Sequence, residues 1–224
     1  MKRSVLNGVV AIFVGLLGPQ IGRGQGAITY VSNLGQSSSG SVSAGSNSMY
    51  GADFFTGQNS GGYLLNSIQL AMNDASGSPI GFNVIIYSGI DAQGGIFPGN
   101  VVATLAGSAN PAIGGTYTYT PISSLTLSPN MDYFIVVSAA TPTANGAYDW
   151  SVTQTGSPGY NSYHWGGETL FAQSSDGQNW SYIPGAYGQY SLDATAAPEP
   201  GTLGLLTLGV SFFGWRRWNE KKRS

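Results

Sequence analysis

Cysteine is absent from all 224 residues, so the chain can form neither a disulfide nor a thiolate metal site. Lysine and arginine are absent from Gln25 to Pro198. All 8 basic residues lie at the ends, as Lys2, Arg3, Arg23, Arg216, Arg217, Lys221, Lys222 and Arg223. The body between them keeps only carboxylates: Asp53, Asp74, Asp91, Asp132, Asp149, Glu168, Asp176 and Asp193. With no basic footprint for phosphate, nucleic acid is not an expected partner. Solubility rests on Ser, Thr, Asn, Gln and Gly, a composition common in secreted surface proteins.

Histidine is nearly absent too. His164 stands alone, so a serine triad or an imidazole metal cluster would depend on that one residue. Asp149, Ser151 and His164 lie close in sequence, but Gly-x-Ser-x-Gly is missing and no strand–elbow–helix context surrounds them. A paired-carboxylate glycosidase would need a partner for Glu168, the only glutamate in the body, from Asp149 or Asp176. Calcium could be offered Asn73-Asp74 or Asp176-Gly177-Gln178-Asn179, but neither has EF-hand spacing and both read as turns. The expectation is a non-enzymatic protein with no metal and no cofactor. Tyr163, Trp165, Trp180 and Tyr182 are the candidate ligand-binding residues, from an aromatic-rich region that could stack sugars. Such rings also fill β cores.

Read in order, the body has many short strand signals and no helical period. Tyr63 to Met72 alternates, with Leu64, Ile68, Leu70 and Met72 predicted on one face. Val84 and Ile86 mark a second strand. Tyr133-Phe134-Ile135-Val136-Val137 predicts a central strand buried on both faces. Tyr148, Trp150 and Val152 alternate, and Asp176-Gly177 predicts a hairpin turn. These signals imply an all-β domain, an antiparallel β-sandwich of jelly-roll-like form, over 50–195. Residues 27–49 read as a Ser/Gly-rich lead-in or edge strand.

The ends carry different signals. Met1-Lys2-Arg3 and the apolar Val5 to Gly18 predict a signal peptide over 1–26, which implies the Sec export machinery. At the other end, 196–201 holds Pro198-Glu199-Pro200, whose prolines keep the link extended and delay any helix. Residues 202–218 are predicted as a transmembrane helix, and 219–224 as a basic cytoplasmic end. The 18 residues from Gly201 to Trp218 would make a helix of about 27 Å, against a hydrocarbon core of about 30 Å.

Pro198-Glu199-Pro200, the apolar run and Arg216-Arg217, in that order, resemble the PEP-CTERM sorting signal of bacterial exported proteins. That resemblance implies processing by an exosortase, a membrane enzyme, with Pro198, Glu199, Pro200, Arg216 and Arg217 as the sorting-signal residues. It further implies transient anchoring in the inner membrane, delivery to the cell envelope or beyond, and association with exopolysaccharide. The segments Tyr63-Leu64-Leu65-Asn66-Ser67-Ile68, Val84-Ile85-Ile86-Tyr87-Ser88, Phe97-Pro98-Gly99 and Leu127-Ser128-Pro129-Asn130-Met131-Asp132-Tyr133 resemble the choice-of-anchor type of bacterial surface domain. The functional expectation is therefore an exported surface or matrix protein. The alternative is a surface-displayed carbohydrate-binding module that uses the loop aromatics.

Overall fold

The computed structural model of the protein describes residues 26–92, 94–107, 109–154 and 163–199. In chain order the strands are β1 (Ile28–Ser32), β2 (Gly40–Ala44), β3 (Met49–Phe55), β4 (Tyr63–Met72) and β5 (Ser76–Gly77). Then come β6 (Asn83–Ala92), β7 (Gly95–Gly107), β8 (Gly115–Pro121), β9 (Thr126–Leu127) and β10 (Asp132–Ser138). β11 (Gly146–Thr153), β12 (Gly166–Ser174), β13 (Trp180–Tyr182), β14 (Tyr187–Gly188) and β15 (Tyr190–Ala196) complete the set. The described residues are all-β apart from one 3-10 turn at Thr143–Asn145, and every strand pair is antiparallel.

The main path of the sheet runs β1-β15-β4-β8-β7-β6-β10-β3-β12-β13, with β11 joining β2, β5 and β14 and touching β4. Residues 27–49, expected as a lead-in or edge strand, supply β1 at one edge of this path and β2 against β11. β10 sits between β3 and β6. Successive side chains of a strand point to opposite faces. Tyr133, Ile135 and Val137 accordingly enter the main core, while Phe134 and Val136 enter a second cluster with Phe97, Ala172 and Trp180. The continuous apolar run is thus buried on both sides.

β4 departs from the predicted alternation. Leu65 is buried and Leu64 is exposed, whereas Ile68, Leu70 and Met72 point inward as expected. The cause is a bulge. β15 pairs Asp193 with Ser67 and Ala194 with Leu65, leaving Asn66 as the extra residue. One inserted residue reverses the facing of everything before it. Asn66 turns its amide to the Thr195 hydroxyl at 2.8 Å.

The main core gathers inward residues from β1, β3, β4, β6, β10, β11, β12 and β15. Trp150 is fully buried, and its indole N–H donates to the Gln189 carbonyl at 3.0 Å. Gly188 lies against that ring, where a Cβ would come within 2.5 Å of it. Asn33 extends β1 by side chain: its amide donates to Gly188 O at 2.9 Å and its oxygen accepts from Tyr190 N at 2.7 Å. Such pairing keeps buried polar groups satisfied where a ladder ends.

Among the described residues no helix is long and apolar enough to cross a membrane. Residues 1–25 of the predicted signal peptide 1–26, the predicted membrane segment 202–218 and the basic end 219–224 lie outside the described residues.

Candidate functional site

The chain leaves the sheet through a short polar grip. β15 ends at Ala196, paired with Tyr63 of β4. The next residue is still held: Ala197 N donates to Gly62 O at 2.9 Å, and Ala197 O accepts the Asn59 side-chain amide at 2.8 Å. The same amide donates to Gly62 O at 2.6 Å, and Gly62 N donates to Asn59 O at 2.8 Å. Asn59 is itself fixed, its backbone N–H donating to the phenol oxygen of Tyr63 at 3.1 Å. Tyr63 is a core residue, edge-on to Trp165 at 4.8 Å and to Tyr30 at 5.3 Å.

Two glycines make the grip close. Gly62 turns at φ +77, a left-handed conformation that a side chain would strain. At Gly61 a Cβ would lie 2.5 Å from Pro198 O and 2.7 Å from Ala197 O, so the departing backbone rests directly on it. Pro198 and Glu199 then stand exposed. The predicted linker 196–201 is thus held at its first two residues and becomes exposed at Pro198. Pro200, Arg216 and Arg217 lie outside the described residues. Neither Asn59 nor the Gly61-Gly62 pair was predicted as functional. Gln58-Asn59-Ser60-Gly61-Gly62 reads as an ordinary turn, and its partner is 138 residues away.

The four candidate aromatics do not share a surface. Trp165 is fully buried, stacked on Tyr30 at 4.6 Å and on Phe54 at 6.2 Å. Tyr163 is exposed next to it, edge-on to Tyr30 at 5.4 Å. Trp180 is buried in the second cluster, on the other face of β10. Tyr182 packs there too, stacked on Phe97 at 4.3 Å and donating its hydroxyl to Ile96 O at 2.7 Å. A polar cleft of about 290 Å³ is lined by Asn47, Ser48, Gln173, Ser174, Asn179 and Ser181 among others, and among the described residues no aromatic ring lines it.

The polar candidates are committed elsewhere. Ser151 donates to Asn73 Oδ1 at 2.7 Å, Asp149 accepts from Ser43 at 2.5 Å, and His164 is exposed at φ +61. Among the described residues no hydrogen bond joins the three. Asp74 accepts Gly114 N at 2.7 Å. Asp176 accepts Asn179 N at 2.8 Å, Gln178 N at 2.9 Å, Asn179 Nδ2 at 2.7 Å and Ser174 Oγ at 3.0 Å. These donors, the Asn179 N–H foremost, hold its carboxyl well below the usual range. The Asp176 loop is a closed turn between β12 and β13, as its Asp-Gly pair predicts. Among the described residues no group of three His, Cys, Asp or Glu side chains could hold a metal ion. The Glu168 side chain lies outside what the structure describes.

The all-β body thus ends in a gripped strand followed by an exposed Pro-Glu step. The PEP-CTERM protein-sorting motif matches residues 196–217, from the last residue of β15 through Arg217. This match supports a PEP-CTERM exosortase-substrate protein, processed by that membrane enzyme and directed to the cell envelope or surface. No curated protein matches the chain.

Proposed function

We propose that the protein is a non-enzymatic constituent of the cell surface or extracellular matrix. In this reading the leader 1–26 sends the chain through the Sec machinery. Residues 202–218 hold it briefly in the inner membrane, with Arg216, Arg217 and 219–224 on the cytoplasmic side. The exosortase then acts at Pro198-Glu199-Pro200, and the body passes to the envelope and its exopolysaccharide. A two-layered, jelly-roll-like arrangement of the body, of choice-of-anchor type, belongs to the same proposal. It is supported by a core to which both β4–β15 and β3–β10–β6 contribute.

One observation carries this reading: Glu199 is exposed two residues beyond the last residue the body grips, inside the matched motif. A peptide-processing enzyme needs such an exposed stretch outside any strand. The test is mass spectrometry of the mature C-terminus from a host that holds the sorting enzyme. A C-terminus lost beyond the Pro-Glu-Pro segment supports processing. Retention through Ser224 makes the tail a permanent anchor and rejects it.

A further inference from the structure

The grip on Ala197 has a consequence for how the body meets a membrane. Between Ala197 and Gly201 stand Pro198, Glu199 and Pro200, so four steps of chain separate the two. At about 3.5 Å per step, Gly201 lies no more than about 14 Å from Ala197. The uncharged run from Thr202 to Trp215 begins immediately after. If that run is in lipid, the end of the body that grips Ala197 is at the lipid surface.

That end is well defined. Loop 56–62 meets loop 128–131 through Thr56 N to Met131 O and Asn130 N to Gly57 O, both at 3.0 Å. It meets residues 163–165 where Gly57 abuts the Tyr163 carbonyl and the Trp165 ring. Around this exit, large apolar side chains stand in solvent: Tyr163 at 48% exposure, Met131 at 41% and Leu64 at 36%. The fixed charges nearby are carboxylates, Glu199 and the half-buried Asp132 with its neighbour Asp91. No lysine or arginine occurs in the body to bind anionic headgroups.

We propose that this loop end is a lipid-facing seat, on which the body rests at the bilayer surface while its tail is anchored, with Tyr163, Met131 and Leu64 entering the headgroup boundary. The proposal rests on the anchoring of 202–218 proposed above. Contact is apolar rather than electrostatic, so it is insensitive to salt and does not require anionic lipid. The Asn59 amide is the positioning contact, since it keeps the tether from lengthening into β15.

The absence of cysteine makes the test clean. Single thiols are placed in the full chain as Met131→Cys or Tyr163→Cys at the seat, and as Ile80→Cys or Ile113→Cys at the far end. Ile113 is two residues before Gly115, which pairs with Met72, and β4 spans about 30 Å from Met72 back to Tyr63. Each variant carries a fluorophore and is reconstituted in zwitterionic phosphatidylcholine vesicles that contain a headgroup-linked quencher. Quenching several-fold greater at 131 and 163 than at 80 and 113, and unchanged by high salt, is expected. Asn59→Ala should reduce it while the protein still co-sediments with vesicles, and Met131→Asp with Tyr163→Asp should do the same. Equal quenching at both ends with co-sedimentation intact overturns the seat and leaves the anchor standing. Loss of co-sedimentation in the unsubstituted chain overturns both.

Discussion

The phenol of Tyr190 donates to the backbone carbonyl of Asp53 at 2.8 Å, inside the core. It ties β15 to β3, which are far apart along the sheet path. Replacing Tyr190 with Phe keeps the ring and removes the donor. A buried hydrogen bond contributes about 1 kcal/mol net, so Tyr190→Phe should lower the midpoint of thermal unfolding by about 2–4 °C. Far-UV circular dichroism should not change.

Trp165 and Trp180 test whether the aromatics are structural. Each is buried, in a different cluster. Truncating a buried tryptophan to alanine costs about 3–5 kcal/mol. Trp165→Ala and Trp180→Ala should each shift the urea midpoint sharply downward. A variant that keeps full stability and loses only glycan binding would favour the carbohydrate-binding alternative.

The acid response of Asp132 has a definite sign. Burial, and then the neighbouring Asp91 carboxylate, raise its pKa above the ordinary value. Its protonated form therefore favours folding, a contribution present below the unfolded value of about 3.9 and lost as pH rises through the higher folded value. Asp132→Asn should stabilise the body at pH 7 relative to the parent. The gap should close as pH falls below about 4, followed by thermal melts across pH.

Trypsin offers a direct check of the charge layout. No Lys or Arg lies between Gln25 and Pro198, so the unprocessed chain, even denatured, should yield one fragment from Gly24 to Arg216. An intact-mass spectrum of the digest settles it.

Glu199→Ala should block maturation and leave membrane association in place, because the apolar run is untouched. Arg216→Glu with Arg217→Glu should disturb placement first and lower processing only indirectly. Fractionation followed by immunoblotting separates the two outcomes.

What could be read from the sequence was what depends on neighbours along the chain. The both-sided burial of β10 followed from an unbroken apolar run, and the tail from three local compositions in order. The facing of Leu64 and Leu65 did not follow, because the bulge at Asn66 is set by a register with β15 some 127 residues on. Composition could not place Trp165 and Trp180, since a ring beside polar loop residues suits a binding surface or a core equally. The grip of Asn59 on Ala197 joins two stretches that each look like ordinary loop. Only the pairing of β4 with β15 brings them together.

β15 lies between β1 and β4, yet it is nearly the last part of the body to be made. Until residues 190–196 are available, Ile28 to Ser32 have no ladder partner, and the places of Tyr190, Leu192 and Ala194 in the core are empty. Closure between chain ends more than 160 residues apart is slow, because the entropy of a long loop must be overcome before its contacts form. The β1–β15 seam therefore stays open until synthesis has almost reached the tail. That final seam closes where the sorting motif begins, at Ala196.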